Sequence, residues 1–329
     1  MHSGSSPTLV EGLVSTIIPV HNRPALLREA VVSVLAQTYR PVEILVVDDG
    51  STDETGRESE ALAESHPEVR SIHRENGGPG AARETGRLAA AGEFIQYLDS
   101  DDLLLPRKFE LQVAGLRNCS DCAVAYGKTR FHAYGDLPTD VAWKRTGEQI
   151  STMFPSFLQS RWWGTSTPLY RREVTDLAGS WTDLRNEEDW EYDCRIASNG
   201  ARLCYVNAFV SEERFTTGKH LSAGGACDPD KLRDRARAHE MILQHALVAG
   251  IPHNTFEMRH FARELFLLAR QCGAAGLARE ARTLFELARR ISRAGQSYSL
   301  DFLLYRTGTR LLGWRAMGRL ACCLDRFRA

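Results

Sequence analysis

The chain has 329 residues, 43% of them apolar and 25% charged, which excludes a low-complexity or fibrous protein. Its net charge of −1 gives no overall attraction for nucleic acid. The charge is split, however: residues 231–329 hold 18 Lys and Arg against 8 Asp and Glu, which leaves −11 in the first 230.

Eight cysteines show no paired framework, and Cys119-Ser-Asp-Cys122 lacks the second pair a zinc site needs. They read as ordinary thiols of a reducing compartment. Residues 1–12 have no basic flank or apolar centre and read as a flexible tail rather than a signal peptide. No apolar run reaches the ~20 residues of a membrane helix, so a cytoplasmic protein is expected, with peripheral contact at the inner membrane face left open.

In chain order, "LVSTIIPV" (13–20) is short, β-branched and continuously apolar, as a buried parallel strand should be. A helix follows, with Pro24 in its first turn and Leu27, Val31, Val34 and Leu35 at helical spacing. "VEILVVDDGS" is a second strand, residues 52–66 a helix and "EVRSIHR" a weaker strand. A helix then opens after Gly-Gly-Pro-Gly, and "GEFIQYLD" is a fourth strand. Four alternations in about 100 residues predict an α/β fold with an open, mostly parallel sheet flanked by helices. Residues 105–230 are more mixed: a helix, a Trp-rich loop and a second helix over 153–179, a helix at 187–200 and strands from 201. Beyond 231, Ala, Leu and Arg dominate, and two helices meet at Gly273–Gly276. Leu277, Ala281, Leu284, Phe285, Ala288 and Ile291 form one apolar face of the second.

Ligands bind beyond the C-terminal ends of such strands. His21-Asn22, Asp48-Asp49-Gly50 and Asp99-Ser100-Asp101-Asp102 each end a strand. The last cluster reads either as a solvated capping turn or as a site for Mg²⁺ or Mn²⁺, which take carboxylates together with substrate phosphate oxygens.

Five segments resemble, in order, the inverting family 2 glycosyltransferases of the GT-A fold: "VSTIIPVHNRP", "SVLAQTYRPVEILVVDDGSTDET", "ENGGPGAARETG", "AAGEFIQYLDSDDLLLP" and "NEEDWEYDCRIASNGARLCYV". They cover roughly residues 13–222. The resemblance implies transfer of a sugar from a nucleotide-diphosphate donor, UDP favoured, to an acceptor hydroxyl in one inverting displacement. It implies that Pro19, His21 and Asp49 hold the nucleobase and that Arg83 lies near base or phosphate. It implies Asp102 as a direct metal ligand, Asp101 at the ribose or a metal-bound water, and Asp99 as an outer partner. Asp189 becomes the general base, kept ionised by a helix N-terminus, and His220 a further metal or diphosphate ligand on a loop. Glu84 stands where the family carries Asn, and His21 where many members carry Tyr.

The resemblance divides the chain into a tail (1–12), a GT-A domain (13–230, nucleotide-binding to 104 and acceptor-binding beyond) and a basic helical region (231–329). Trp162 and Trp163 suit either an acceptor sugar or the core. The acceptor is a glycan, a lipid-linked sugar or a small molecule, and nucleic acid is not a partner. A dinucleotide-dependent oxidoreductase fits poorly, because Arg83 occupies the last glycine position of "GGPGAARETG" and the motif does not follow the first strand. A nucleotidyltransferase would want a basic glycine-rich loop where "PVHNRP" stands. A degenerate GT-A binding scaffold is the non-enzymatic alternative.

The basic tail, with Phe302, Tyr305 and Trp314, suits anionic lipid. On one continuous wheel, though, Arg306 and Arg310 oppose Arg315 and Arg319, and Gly308 and Gly313 suggest breaks. Packing on the catalytic domain or a homodimer contact is the other reading.

Overall fold

A computed structural model of the protein describes residues 7–215, 228–295 and 299–326. The front alternates as its apolar runs require: β1 (Val10–Val20), α1 (Pro24–Leu35), β2 (Val42–Asp49), α2 (Thr55–Ser65), β3 (Val69–Arg74), α3 (Pro79–Ala89) and β4 (Gly92–Tyr97). Then come β5 (Leu103–Leu104), α4 (Lys108–Asn118), β6 (Cys122–Ala133), β7 (Leu169–Arg171), α5 (Arg172–Ala178), α6 (Glu188–Ser198) and β8 (Arg202–Phe215). The C-terminal region holds α7 (Pro229–Val248), α8 (Phe256–Ala275), α9 (Ala278–Ala294) and α10 (Leu300–Arg326).

The chain divides into two compact units. The first takes in the described residues to Met153, Trp162–Asp183 and 199–215. The second takes in Phe154–Arg161, Leu184–Ser198 and the described residues from 228 onward. The expected boundary at 230 therefore misplaces α6, which groups with the C-terminal helices. The expected tail is also shorter: β1 begins at Val10, whose N–H donates to Ala91 O at 2.8 Å.

In the first unit eight strands form one sheet, ordered β3-β2-β1-β4-β7-β6-β8-β5. β1 runs parallel to β2 and β4, and β2 parallel to β3, while β7 is antiparallel to β4 and β6. The chain moves outward from β1 to β2 and β3, then returns to β4 on the other side of β1. The β1/β4 junction is therefore a topological switch point, where an open sheet leaves a crevice. Val14, Ile18, Ile44, Val46 and Phe94 are buried against Leu27, Val31 and Val34 of α1 and Phe109 and Val113 of α4. Buried on both faces, these strands need the continuous apolar runs seen in the sequence.

Two expectations for the middle of the chain change. Over 153–161 only one 3₁₀ turn, Ser156–Leu158, forms. Cys119 and Cys122 are a disulfide rather than thiols. They sit in a turn after α4, where Cys122 N–H donates to Cys119 O at 3.0 Å and the Cα atoms stand 5.3 Å apart, within bridging reach.

In the second unit, α8 ends at Gly276, whose left-handed φ of 90° suits glycine, and α9 follows. The apolar face expected on α9 is buried in full. Rings of Phe266, Phe285, Phe302, Tyr305 and Trp314 pack together with centroids 4.4–6.2 Å apart. Among the described residues, no helix is long and apolar enough to cross a membrane.

Candidate active site

In the first unit, β1, β2 and β4 deliver their polar clusters to one edge of the sheet. Pro19 pairs in register with Val47 of β2 but lies beyond Ile17↔Tyr97, the last pair with β4. Its missing N–H therefore breaks no rung on the crevice side. His21 is exposed, with Nδ1 3.0 Å from Asp49 O, and Asn76 Nδ2 donates to the same carbonyl at 2.9 Å. The Asp49 carboxylate is buried. It accepts the N–H groups of Gly77 and Gly78 at 3.0 and 2.7 Å and pairs with Arg74 at 3.1 Å. It thus fixes the turn that starts α3. The sequence reading gave Asp49 to a nucleobase and missed this local task.

After β4 each acid meets a cation or a donor. Arg83 donates to Asp99 Oδ1 at 2.7 Å and lies 4.8 Å from the Trp181 ring centroid. Only 4% of the Arg83 side chain is exposed, so it is no solvated helix charge. Arg23 donates to Asp101 Oδ2. Asp102 is buried; it accepts Ser166 Oγ on Oδ2 at 2.6 Å and the Arg214 N–H on Oδ1 at 3.1 Å. Arg214 also donates from Nε to Asp101 O at 2.6 Å and pairs with Glu29. Burial, then the carboxylates of Glu213, Asp101 and Asp99, push the Asp102 carboxyl well above its ordinary range, against the pull of Ser166.

Among the described residues no three His, Cys, Asp or Glu side chains converge as metal ligands. The donor set still suits a hard dication that takes one or two protein carboxylates and leaves its other positions to phosphate and water. Asp99 and Asp101 are the more open members, 34% and 14% exposed. The crowding of like charge around Asp102 is what a cation would relieve.

Asp189 lies in the second unit, in the first turn of α6, with 29% of its side chain exposed. Arg161 clasps it through Nη1, and Nε of the same guanidinium donates to buried Asp193 at 2.7 Å. The Trp190 N–H donates to Asp189 Oδ1 at 2.7 Å. The turn before the helix is braced as well. Glu187 has a positive φ of 62°, rare for a residue with a Cβ. Its carboxylate meets Arg235 Nε at 2.9 Å and His239 Nδ1 at 3.0 Å, both on α7. One turn on, buried Glu191 meets His245 at 2.8 Å and Arg195 at 2.8 Å. Burial would raise both glutamates; their His and Arg partners outweigh it and hold both below the ordinary carboxylate range.

Trp162 and Trp163 are buried, Trp162 under Arg145 at 3.8 Å and Trp163 beside Tyr126 at 5.0 Å. They are core residues, not an acceptor platform. His220 lies outside the described residues. Sequence reasoning missed Arg23, Ser166, Arg214, Arg161, Glu187 and His239. Arg23, inside "HNRP", and Glu187, inside "NEEDWEYDC", stand within segments that drew attention, and Arg161 and Ser166 flank the two tryptophans; their partners carry no local signal.

The family model for glycosyl transferase family 2 matches residues 15–172, the stretch that builds the sheet edge. This stretch is a glycosyl transferase family 2 domain. Curated relatives are similar over part of the chain. An uncharacterized glycosyltransferase of Rickettsia conorii is 35% identical over 147 residues, 45% of this chain and 24% of that protein. Glycosyltransferase GlyG of Streptococcus pneumoniae is 40% identical over 99 residues, 30% of this chain and 33% of that protein. The chain thus spans about a quarter to a third of those relatives' length. Among solved structures, S. aureus TarS 1–349 in complex with UDP-GlcNAc superposes with a TM-score of 0.62 at 17% identity, covering 91% of this chain and 92% of that one. Mannosyltransferase PcManGT from Pyrobaculum calidifontis, in complex with GDP-Man and Mn²⁺, gives 0.50 at 18% identity, over 95% and 87%. At those identities the structures establish the GT-A fold and no more.

Proposed function

We propose that the protein is an inverting glycosyltransferase that moves a sugar from a nucleoside-diphosphate donor to an acceptor hydroxyl. The observation that carries this is the turn after β4, beside the β1/β4 switch point, where Asp99, Asp101 and Asp102 stand within four residues and are held by Arg83, Arg23 and Ser166. UDP is favoured as the nucleotide, because a fold neighbour is described with UDP-GlcNAc; the GDP-Man neighbour keeps GDP open.

In this reading Pro19, His21, Asn76 and the turn fixed by Asp49 frame the base. Asp101 and Asp99 would offer oxygens to Mg²⁺ or Mn²⁺ beside the diphosphate, in place of the direct ligation by Asp102 that the resemblance implies, and Asp102, buried and held by Ser166 and Arg214, would brace the turn. A dication bound there would offset the charge that grows on the departing diphosphate. Arg23 and Arg83 pair with Asp101 and Asp99, and their guanidinium groups would suit the phosphates of a donor bound beside those acids. His220 is kept as a candidate ligand from the family resemblance.

Asp189 takes the acceptor hydroxyl's proton as that oxygen bonds to C1 and the C1–O bond to the diphosphate breaks. Arg161 and the α6 N-terminus support its ionised form. The clasp of Arg161 on Asp189 also favours a second reading, a nucleotide-sugar-binding scaffold without turnover. Mn²⁺-dependent hydrolysis or transfer of UDP-sugars by the purified chain separates the two. Metal-dependent binding without any turnover, unchanged by Asp189→Asn, would favour the scaffold.

A further inference from the structure

The aromatic residues of α10 that suited lipid in the sequence face inward: Phe302 and Tyr305 are buried against α8 and α9. The opposite face is also apolar. Leu300, Leu303, Leu304 and Leu311 fall within about 60° of one direction at 100° per residue, while Phe302, Tyr305 and Thr309 fall on the far side. These leucines are 51–78% exposed. A surface helix needs one apolar stripe; a second, contiguous one marks a contact surface. The break that the sequence suggested falls at Gly313, with φ 78°, so the residues before and after it do not share one wheel. Within the first segment Arg306 and Arg310 lie together along one flank of the leucine stripe instead of opposing it. Arg310, Arg315 and Arg319 are exposed. The one acid among the described side chains of α10, Asp301, is tied to Arg263 at 3.1 Å.

We propose that this leucine face of α10 docks on an anionic lipid surface, the leucines entering the acyl boundary and the arginines meeting lipid phosphates. Charge decides between the two available occupants. A second copy meeting this face with its α10 antiparallel would bring arginine row against arginine row, and a parallel pairing would set each row against a flank whose one acid, Asp301, is already tied to Arg263. An anionic bilayer complements the same row. The helix lies in the interface and does not span it, in keeping with its length and polarity. The proposal is independent of the catalytic reading above.

The test is co-sedimentation of the full chain with phosphatidylglycerol-containing and pure phosphatidylcholine vesicles, with sedimentation velocity run alongside. Binding to the anionic vesicles is expected, weakened by salt. Leu304→Glu with Leu311→Glu should reduce it at least ten-fold, by about the loss of several buried methylene groups. Arg310→Gln should reduce it about five-fold with the melting temperature unchanged, the scale of one basic residue at an anionic surface. That second variant decides the matter if the double glutamate variant fails to fold. Equal binding to both vesicle types, no binding to either, or dimers that dissociate in the glutamate variant would overturn the proposal.

Discussion

The turn after β4 and the start of α6 each pack three acids into four residues or fewer, yet they are held in different ways. Asp99, Asp101 and Asp102 meet Arg83 of α3, Arg23 just before α1 and Ser166 just before β7, all within the unit that holds the sheet. Glu187 and Asp189 are held by Arg235, His239 and Arg161, which no strand pairing places there. A parallel sheet collects its strand ends at one edge whatever the loops do. A helix start must be positioned by tertiary partners, and here those come largely from α7. Region 231–329 is therefore more than an attachment module, since α7 braces the turn that leads into Asp189.

The comparison breaks first, if it breaks, at Asp189. Asp189→Asn should retain donor binding and lower transfer by at least ~10²-fold, the scale of a lost general base; transfer kinetics beside calorimetric UDP binding check both halves. Asp101→Asn should act at the other end, weakening Mn²⁺-supported UDP binding about ten-fold or more while leaving whatever binding persists in chelator.

A smaller effect would sharpen the contrast between the two turns. Glu187→Gln removes the charge that meets Arg235 and His239, and should cost about 1–3 kcal/mol in urea denaturation. It should also lower turnover more than donor affinity. A stability change with turnover intact would make the brace purely architectural.

The smallest effect is on pH. Glu187 and Glu191 have folded-state carboxyls held below the ordinary value, so their contribution to stability is full above that value and fades as pH falls through the folded one. Replacing either with Gln should flatten the loss of stability below about pH 4.5. An unchanged acid limb would mean that these ion pairs do not couple to folding.

The sheet was legible because β1, β2 and β4 are apolar throughout, and such runs must be buried on both faces. Their acidic ends were legible for the same reason. The partners were not. Nothing near Ser166 says that its hydroxyl meets a carboxylate 64 residues upstream, and Arg161 stands beside two tryptophans that drew the attention instead. Trp162 and Trp163 carry the same side chain whether in a core or a sugar cleft, and only tertiary packing decides. The α10 leucines escaped notice because an aromatic-rich helix invites the wrong face as the lipid-facing one.

The most direct measurement is calorimetry of UDP against the intact chain in Mn²⁺ and again in chelator, repeated with Asp101→Asn. The account predicts tight binding in Mn²⁺, weak binding in chelator, and no difference between the two conditions in the variant. Equal affinity in both conditions for the unmodified protein would contradict it.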